Sequence, residues 1–184
     1  MSVLASDFTG NTVLIYNTAG IHLASATIKE HDKISKQIRI PSMPTGLSVN
    51  DECKLLIISS PVPCEFNGKI KKVGAQPYIG MFQGQEKESR AAARFAVTTP
   101  AIITAFIIDE KLHPVSNPIT VTTINISTTG VRFRAPYYSL DVNDIFEMHL
   151  VINNSRKKIT AKVVNNRDNG TDTTDYGCNF IMVE

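Results

Sequence analysis

The chain has no tryptophan, three cysteines and a formal net charge of only +2 over 184 residues. Each scarcity removes a class of function. With aromatic residues at 7% there is little stacking surface for single-stranded nucleic acid. So slight a positive excess does not make the basic face that a duplex-binding protein presents, so no duplex nucleic acid is expected as a partner. Cys53, Cys64 and Cys178 are odd in number and form no CxxC, so neither a disulfide framework nor a zinc knuckle is suggested. Each lies in an apolar run, where a reduced cysteine behaves as a small hydrophobe. No apolar run is long enough to cross a bilayer, so membrane insertion is not expected. The N-terminus lacks the charged and apolar blocks of a signal peptide, and the expected location is cytoplasmic. The four histidines (His22, His31, His113, His149) are scattered, and neither a nucleophile elbow, nor paired carboxylates, nor metal-ligand spacing appears. No enzyme, catalytic residue, metal or cofactor is expected.

What is abundant is strand signal. Thr12–Tyr16 is β-branched and aromatic, and Thr18-Ala19-Gly20 marks a turn after it. Ile21–Ile28 and Ile34–Ile40 read as further strands, the second alternating through Ile34, Ile38 and Ile40. Pro41, Pro44 and Gly46 break the pattern. Lys54–Ser59 is continuously apolar, Cys64–Val73 alternates, and Tyr78–Phe82 is short. Gln83–Glu88 is polar and aperiodic. Strands then resume at Ala96–Ile108 (with Pro100 delaying or bulging its start), Ile119–Ile124, Val131–Arg134, Ile145–Ile152, Lys158–Val164 and Tyr176–Val183. The expected fold is all-β: two small six-stranded antiparallel β-barrels in tandem, joined by a short linker. The expected bounds are 1–84 for the first barrel, 85–95 for the linker and 96–184 for the second barrel.

An internal repeat supports this layout. Leu47-Ser48-Val49-Asn50-Asp51 returns as Leu140-Asp141-Val142-Asn143-Asp144, an offset of 93 residues (140 − 47). The same offset sets Ile70 on Val163 and Gly68 on Ala161. Asn67-Gly68 alone would signal a two-residue hairpin, but the repeat places it inside a strand. The turn then falls earlier, at Ser60-Pro61-Val62-Pro63.

Two motifs carry chemistry. Arg90 and Arg94 stand four apart around three alanines, and a guanidinium is a planar fork of donors that fits phosphate oxygens or the O6/N7 edge of guanine. A pair of solvated arginines on a helical turn has the same spacing. Downstream, Asn125-Ile126-Ser127-Thr128-Thr129-Gly130 leaves a strand for a tight turn. An asparagine there offers an acceptor and two donors to a base edge. Ser127 places a hydroxyl two residues on, and Gly130 permits a positive φ or a close backbone approach. An Asn/Ser-capped turn with a glycine bend reads the same way.

RxxxR followed about thirty residues later by [D/N]xSxxG resembles the PilZ domain, a bacterial receptor for cyclic di-GMP. The likeness runs from about Ser89 to Glu184. It includes Gly130-Val131-Arg132-Phe133, the Leu140–Asp144 turn and Tyr176-Gly177-Cys178-Asn179-Phe180. A β-rich half joined directly to RxxxR is similar to the two-barrel PilZ proteins of the flagellar-brake type. The resemblance implies that Arg90 and Arg94 wrap guanine edges and phosphates. It implies that Asn125 bonds the guanine Watson–Crick edge, Ser127 holds a base or phosphate, and Gly130 lets the ligand lie against the backbone. Members that bind an intercalated ligand dimer often carry an arginine before the first motif arginine. Here that position is Ser89, which favours one ligand per chain. Arg132 and Arg134 share a strand face and can extend the anion site or simply face solvent. The implied role is a receptor acting on an unidentified downstream protein, with motility or exopolysaccharide as output. The alternative is a PilZ-like interaction scaffold independent of nucleotide.

Overall fold

The structure, a computed structural model, describes residues 7–72, 77–82, 93–136, 139–152 and 154–184. The described residues contain strands and turns but no helix, and so no helix long and apolar enough to cross a membrane. They cluster into two compact units. One comprises Met1–Ser59 with Pro63–Phe95, the other Ser60–Val62 with Ala96–Glu184.

In the first unit the strands are β1 (Thr12–Asn17), β2 (His22–Thr27), β3 (Glu30–Asp32), β4 (Gln37–Arg39), β5 (Glu52–Ile58), β6 (Cys64–Lys72) and β7 (Tyr78–Phe82). Their order is β2-β1-β5-β6-β7-β4-β3, with antiparallel pairing throughout. The two ends of that row are neighbours in the chain, separated only by Ile28 and Lys29. Ile28 donates its amide to Asn11, beside β1, and Lys29 donates to Arg39 of β4. One bent segment therefore passes from β1 to β4 and brings the row round. Alternate residues of these strands point inward, as a pleat of period two requires. Val13, Ile15, Leu55, Ile57, Phe66, Ile70, Ile79 and Met81 close around Phe8 in a single apolar core.

The second unit holds β9 (Pro100–Ile108), β10 (Lys111–Ile126), β11 (Gly130–Pro136), β12 (Ile145–Ile152), β13 (Ser155–Thr171) and β14 (Thr173–Val183), while the two-residue β8 (Phe95–Ala96) spans the boundary, Phe95 counting with the first unit and Ala96 with the second. The order is β11-β14-β13-β12-β9-β10-β8, and a further β11–β10 pairing closes a six-stranded barrel. Phe133 is the hub of its core, with ring centroids 5.7 Å from Phe146 and 5.6 Å from Tyr176. The buried Tyr176 accepts the Leu140 amide at its hydroxyl.

The 93-residue offset holds in the pairing scheme. Strand β5 begins at Glu52 and β12 at Ile145, and both pair with the equivalent neighbours, β1 and β6 against β9 and β13. The repeated turn is reproduced bond for bond. Asn50 and Asn143 both take positive φ, 74° and 82°. Asp51 accepts the Ser48 amide at 2.8 Å and Asp144 accepts that of Asp141 at 2.8 Å. Asn50 donates to Ile70 and Asn143 to Val163, each at 2.9 Å.

Some strand bounds differ from the sequence reading. Ile34–Ile40 is not one strand: Ile34 is 96% exposed at the tip of the β3–β4 hairpin, and only Gln37–Arg39 pairs. Asp32 makes that tip by accepting the amides of Ile34 and Ser35 and the Ser35 hydroxyl. Residues 111–118 form no loop. Asp109 and Glu110, both at positive φ, make a tight hairpin from which β10 departs at once. Pro114 and Pro118 obscured this, and they bracket a register slip of the kind in which prolines are tolerated. Strand β13 likewise runs past Val164 to Thr171, through polar residues that pattern alone reads as loop. Asn67-Gly68 does lie inside a strand, and the turn falls at Ser60–Pro63, with a cis peptide before Pro61.

Candidate functional site

The β10–β11 hairpin carries the second motif. A bulge at Ile124 interrupts the pairing between Thr123 and Asn125, and such bulges re-aim the side chain that follows. The bulge is held from outside. Val97 donates to the Ile124 carbonyl at 3.2 Å, and the buried Thr123 hydroxyl accepts the Thr99 amide and donates to the Thr99 carbonyl. Asn125 emerges half-buried, directly across from Arg132.

Ser127, 8% exposed, builds its own turn. Its hydroxyl oxygen accepts the amides of Thr129 and Gly130, at 3.2 and 3.1 Å, while its amide donates to the Gly130 carbonyl. The Thr129 carbonyl accepts from Phe180, which ties the turn to β14. Gly130 is buried and does not adopt positive φ. A Cβ there would collide with the carbonyl oxygen of Cys178. Glycine is needed at this position because two backbones touch.

Beyond the hairpin, Arg132 and Arg134 converge on Asp175, a β14 carboxylate only 5% exposed. Arg134 donates Nε to Oδ1 at 2.7 Å and Nη2 to Oδ2 at 3.3 Å. Arg132 donates Nη2 to Oδ2 at 2.9 Å, and Asn169 donates Nδ2 to Oδ1 at 2.8 Å. Burial pushes the Asp175 pKa up. The hydrogen bonds from Arg134 and Asn169 and the charges of Arg134 and Arg132 outweigh it, leaving the carboxyl below its usual range. The arginine face is therefore not merely solvated. Asp175 lies just before the Tyr176–Val183 run from which the last strand is expected, and β14 in fact begins at Thr173. Two arginines alternating on one strand were the available signal that a buried acid lies opposite.

The structure brings Asn125, Ser127, Gly130 and Arg132 together on one hairpin. Arg94 is exposed and non-helical, between half-buried Ala93 and buried Phe95, whose ring centroid lies 4.8 Å from that of Tyr16. Arg90, Ser89 and most of the expected linker lie outside the described residues. Among the described residues no three His, Cys, Asp or Glu side chains assemble into a metal-binding group.

Against solved structures the chain is similar to the Bacillus subtilis inhibitor of motility MotI/DgrA, at 13% identity and a TM-score of 0.42, covering 97% of this chain and 90% of that one. It is also similar to K. pneumonia MrkH in a complex with c-di-GMP (12% identity, TM-score 0.37, 93% and 78% covered). A third is Escherichia coli YcgR in complex with c-di-GMP (9% identity, TM-score 0.38, 94% and 76% covered). No curated protein matches the chain. The model of the PilZ domain matches residues 88–184, which takes in the arginine motif and the whole closed barrel, and the chain belongs to the PilZ domain family.

Proposed function

We propose that this protein is a non-enzymatic receptor for cyclic di-GMP. The observation that carries the reading is the β10–β11 hairpin. Asn125 is aimed by a bulge beside Arg132 and over a turn closed by Ser127, within a PilZ match that begins just before Arg90. Asn125 meets the guanine Watson–Crick edge, Ser127 shapes the turn beneath it, and Gly130 lets the hairpin lie flush on β14. Arg90 and Arg94 close over the ligand, engaging phosphates and guanine edges with forks that a lysine does not supply. One ligand binds per chain, consistent with Ser89 before the first arginine.

Ligand capture draws the 85–95 linker onto the second barrel (96–184) and reorients the first (1–84), presenting a changed surface to a downstream protein in the cytoplasm. Calorimetric titration with cyclic di-GMP tests the receptor. Arg90→Ala and Arg94→Ala each lose about 1.5–3 kcal/mol, roughly tenfold to over a hundredfold in affinity, and Arg94→Lys does not restore it. Absence of heat with the wild type would leave the nucleotide-independent scaffold as the reading. The reorientation is checked separately by solution scattering, and a profile unchanged at saturating ligand defeats it.

A further inference from the structure

Asp175 is an expensive residue for a barrel's outer face. A buried carboxylate with two guanidiniums adds little stability compared with apolar packing, and the core of this barrel lies on the opposite side of the strands, around Phe133. The two arginines also use Asp175 differently. Arg134 offers two nitrogens in a fork, while Arg132 offers only Nη2. Among the described residues the rest of the Arg132 guanidinium makes no other hydrogen bond, and its side chain remains 35% exposed.

Strand register shows what surrounds it. Asn125, Arg132, Gly177 and Asn165 lie in one row across β10, β11, β14 and β13. On one flank of Arg132 stands Asn125. On the other is the bare backbone of Gly177, where even a methyl would come within 2.5 Å of Asn165 Oδ1. Directly opposed residues in adjacent strands sit about 4.5–5.5 Å apart, a spacing comparable to the width of a purine's polar edge. A flat ring whose N1/N2 edge meets Asn125 turns its O6 and N7 towards Arg132.

Building on the cyclic di-GMP reading, we propose that Arg132 is a specificity-determining contact for the O6/N7 edge of a guanine, and that Asp175 is its positioning residue. Guanine offers two acceptors on that edge, whereas adenine replaces O6 with an amino donor that faces a guanidinium unfavourably. Arg134 and Asn169 complete the shell of Asp175, so the carboxylate aims Arg132 without taking up its whole fork.

The test is titration of the full-length protein with cyclic di-GMP and, separately, cyclic di-AMP. Arg132→Gln and Arg132→Lys are each expected to weaken cyclic di-GMP binding by about tenfold or more, and to narrow the ratio of the two affinities. Asp175→Asn keeps an acceptor of the same shape while loosening the ion pair, and is expected to narrow the ratio with the fold intact by circular dichroism. A purely structural role for Asp175 would lower the melting temperature and leave the ratio alone, and that result overturns the positioning role. Wild-type affinity and ratio in both Arg132 variants overturn the contact while the receptor reading stands. No binding by the wild type removes the receptor reading and this inference together.

Discussion

Gly130→Ala tests whether the motif glycine serves the strand pair as well as any ligand. The added methyl would collide with the Cys178 carbonyl oxygen, and would sit 3.1 Å from the carbonyl carbon and 3.3 Å from Asn179 Cα. All three are backbone atoms of β14, so no rotamer change relieves the contact, and β11 and β14 must part. Overpacking of this kind costs about 1–3 kcal/mol. Parting the strands also strains the hydrogen bond from Phe180 to the Thr129 carbonyl, worth about 1 kcal/mol. For a unit the size of Ala96–Glu184, each kcal/mol moves the melting temperature by about 4–8 °C, so the combined cost of about 2–4 kcal/mol is expected to lower it by roughly 8–32 °C. Differential scanning calorimetry of the full chain reads the transition. Amide exchange at Phe180, without ligand, reads the local opening. A melting temperature within about 2 °C of wild type, with Phe180 equally protected, would refute the strand-contact argument.

Three further outcomes follow from the geometry. Replacing Asn50 or Asn143 with valine places a β-branched residue at positive φ and is expected to cost about 1–2 kcal/mol in denaturant unfolding, whereas glycine at either position is expected to be neutral. Burial holds the His31 pKa below its usual 6.5, against the pull of Asp7, and its Nδ1 accepts the Phe8 amide. The unfolded chain therefore protonates first, and stability is expected to fall as pH drops from 7 towards 5. His31→Asn retains an acceptor without titrating and should flatten that profile, with His22 and His149, lowered in the same direction, accounting for the remainder. Burial raises the Cys53 thiol to about 11 and the Cys178 thiol to about 12. A thiol reagent at pH 8 should thus label half-buried Cys64 first and reach the other two only as the chain unfolds.

The barrels were legible wherever apolar alternation was strong, as at Tyr78–Phe82 and Ile145–Ile152, whose bounds in the structure are the same. The repeat was legible because a turn needs particular atoms: an aspartate to cap it and an asparagine that tolerates positive φ. Strands built on other forces were not. Glu30–Asp32 and Asn165–Thr171 are polar, and pairing with neighbours holds them where propensity does not. Of the candidate site, the asparagine and serine showed in the spacing. The geometry then gave Ser127 a structural task alongside its proposed one. Asp175 was hidden because a buried acid declares itself only through partners distant in sequence, here 43 and 41 residues away.

The duplicated turn makes this molecule its own reference. The amides of Asn50 and Asn143 have the same strand context, the same handedness and the same 2.9 Å bond to a carbonyl across the pair. One lies in the unit that carries the hairpin motif and the other in the unit whose corresponding hairpin is closed by Asp32. Their exchange rates, recorded in one sample, share pH, temperature and concentration. The ratio between them therefore isolates an effect confined to one barrel, and no second preparation is needed for comparison.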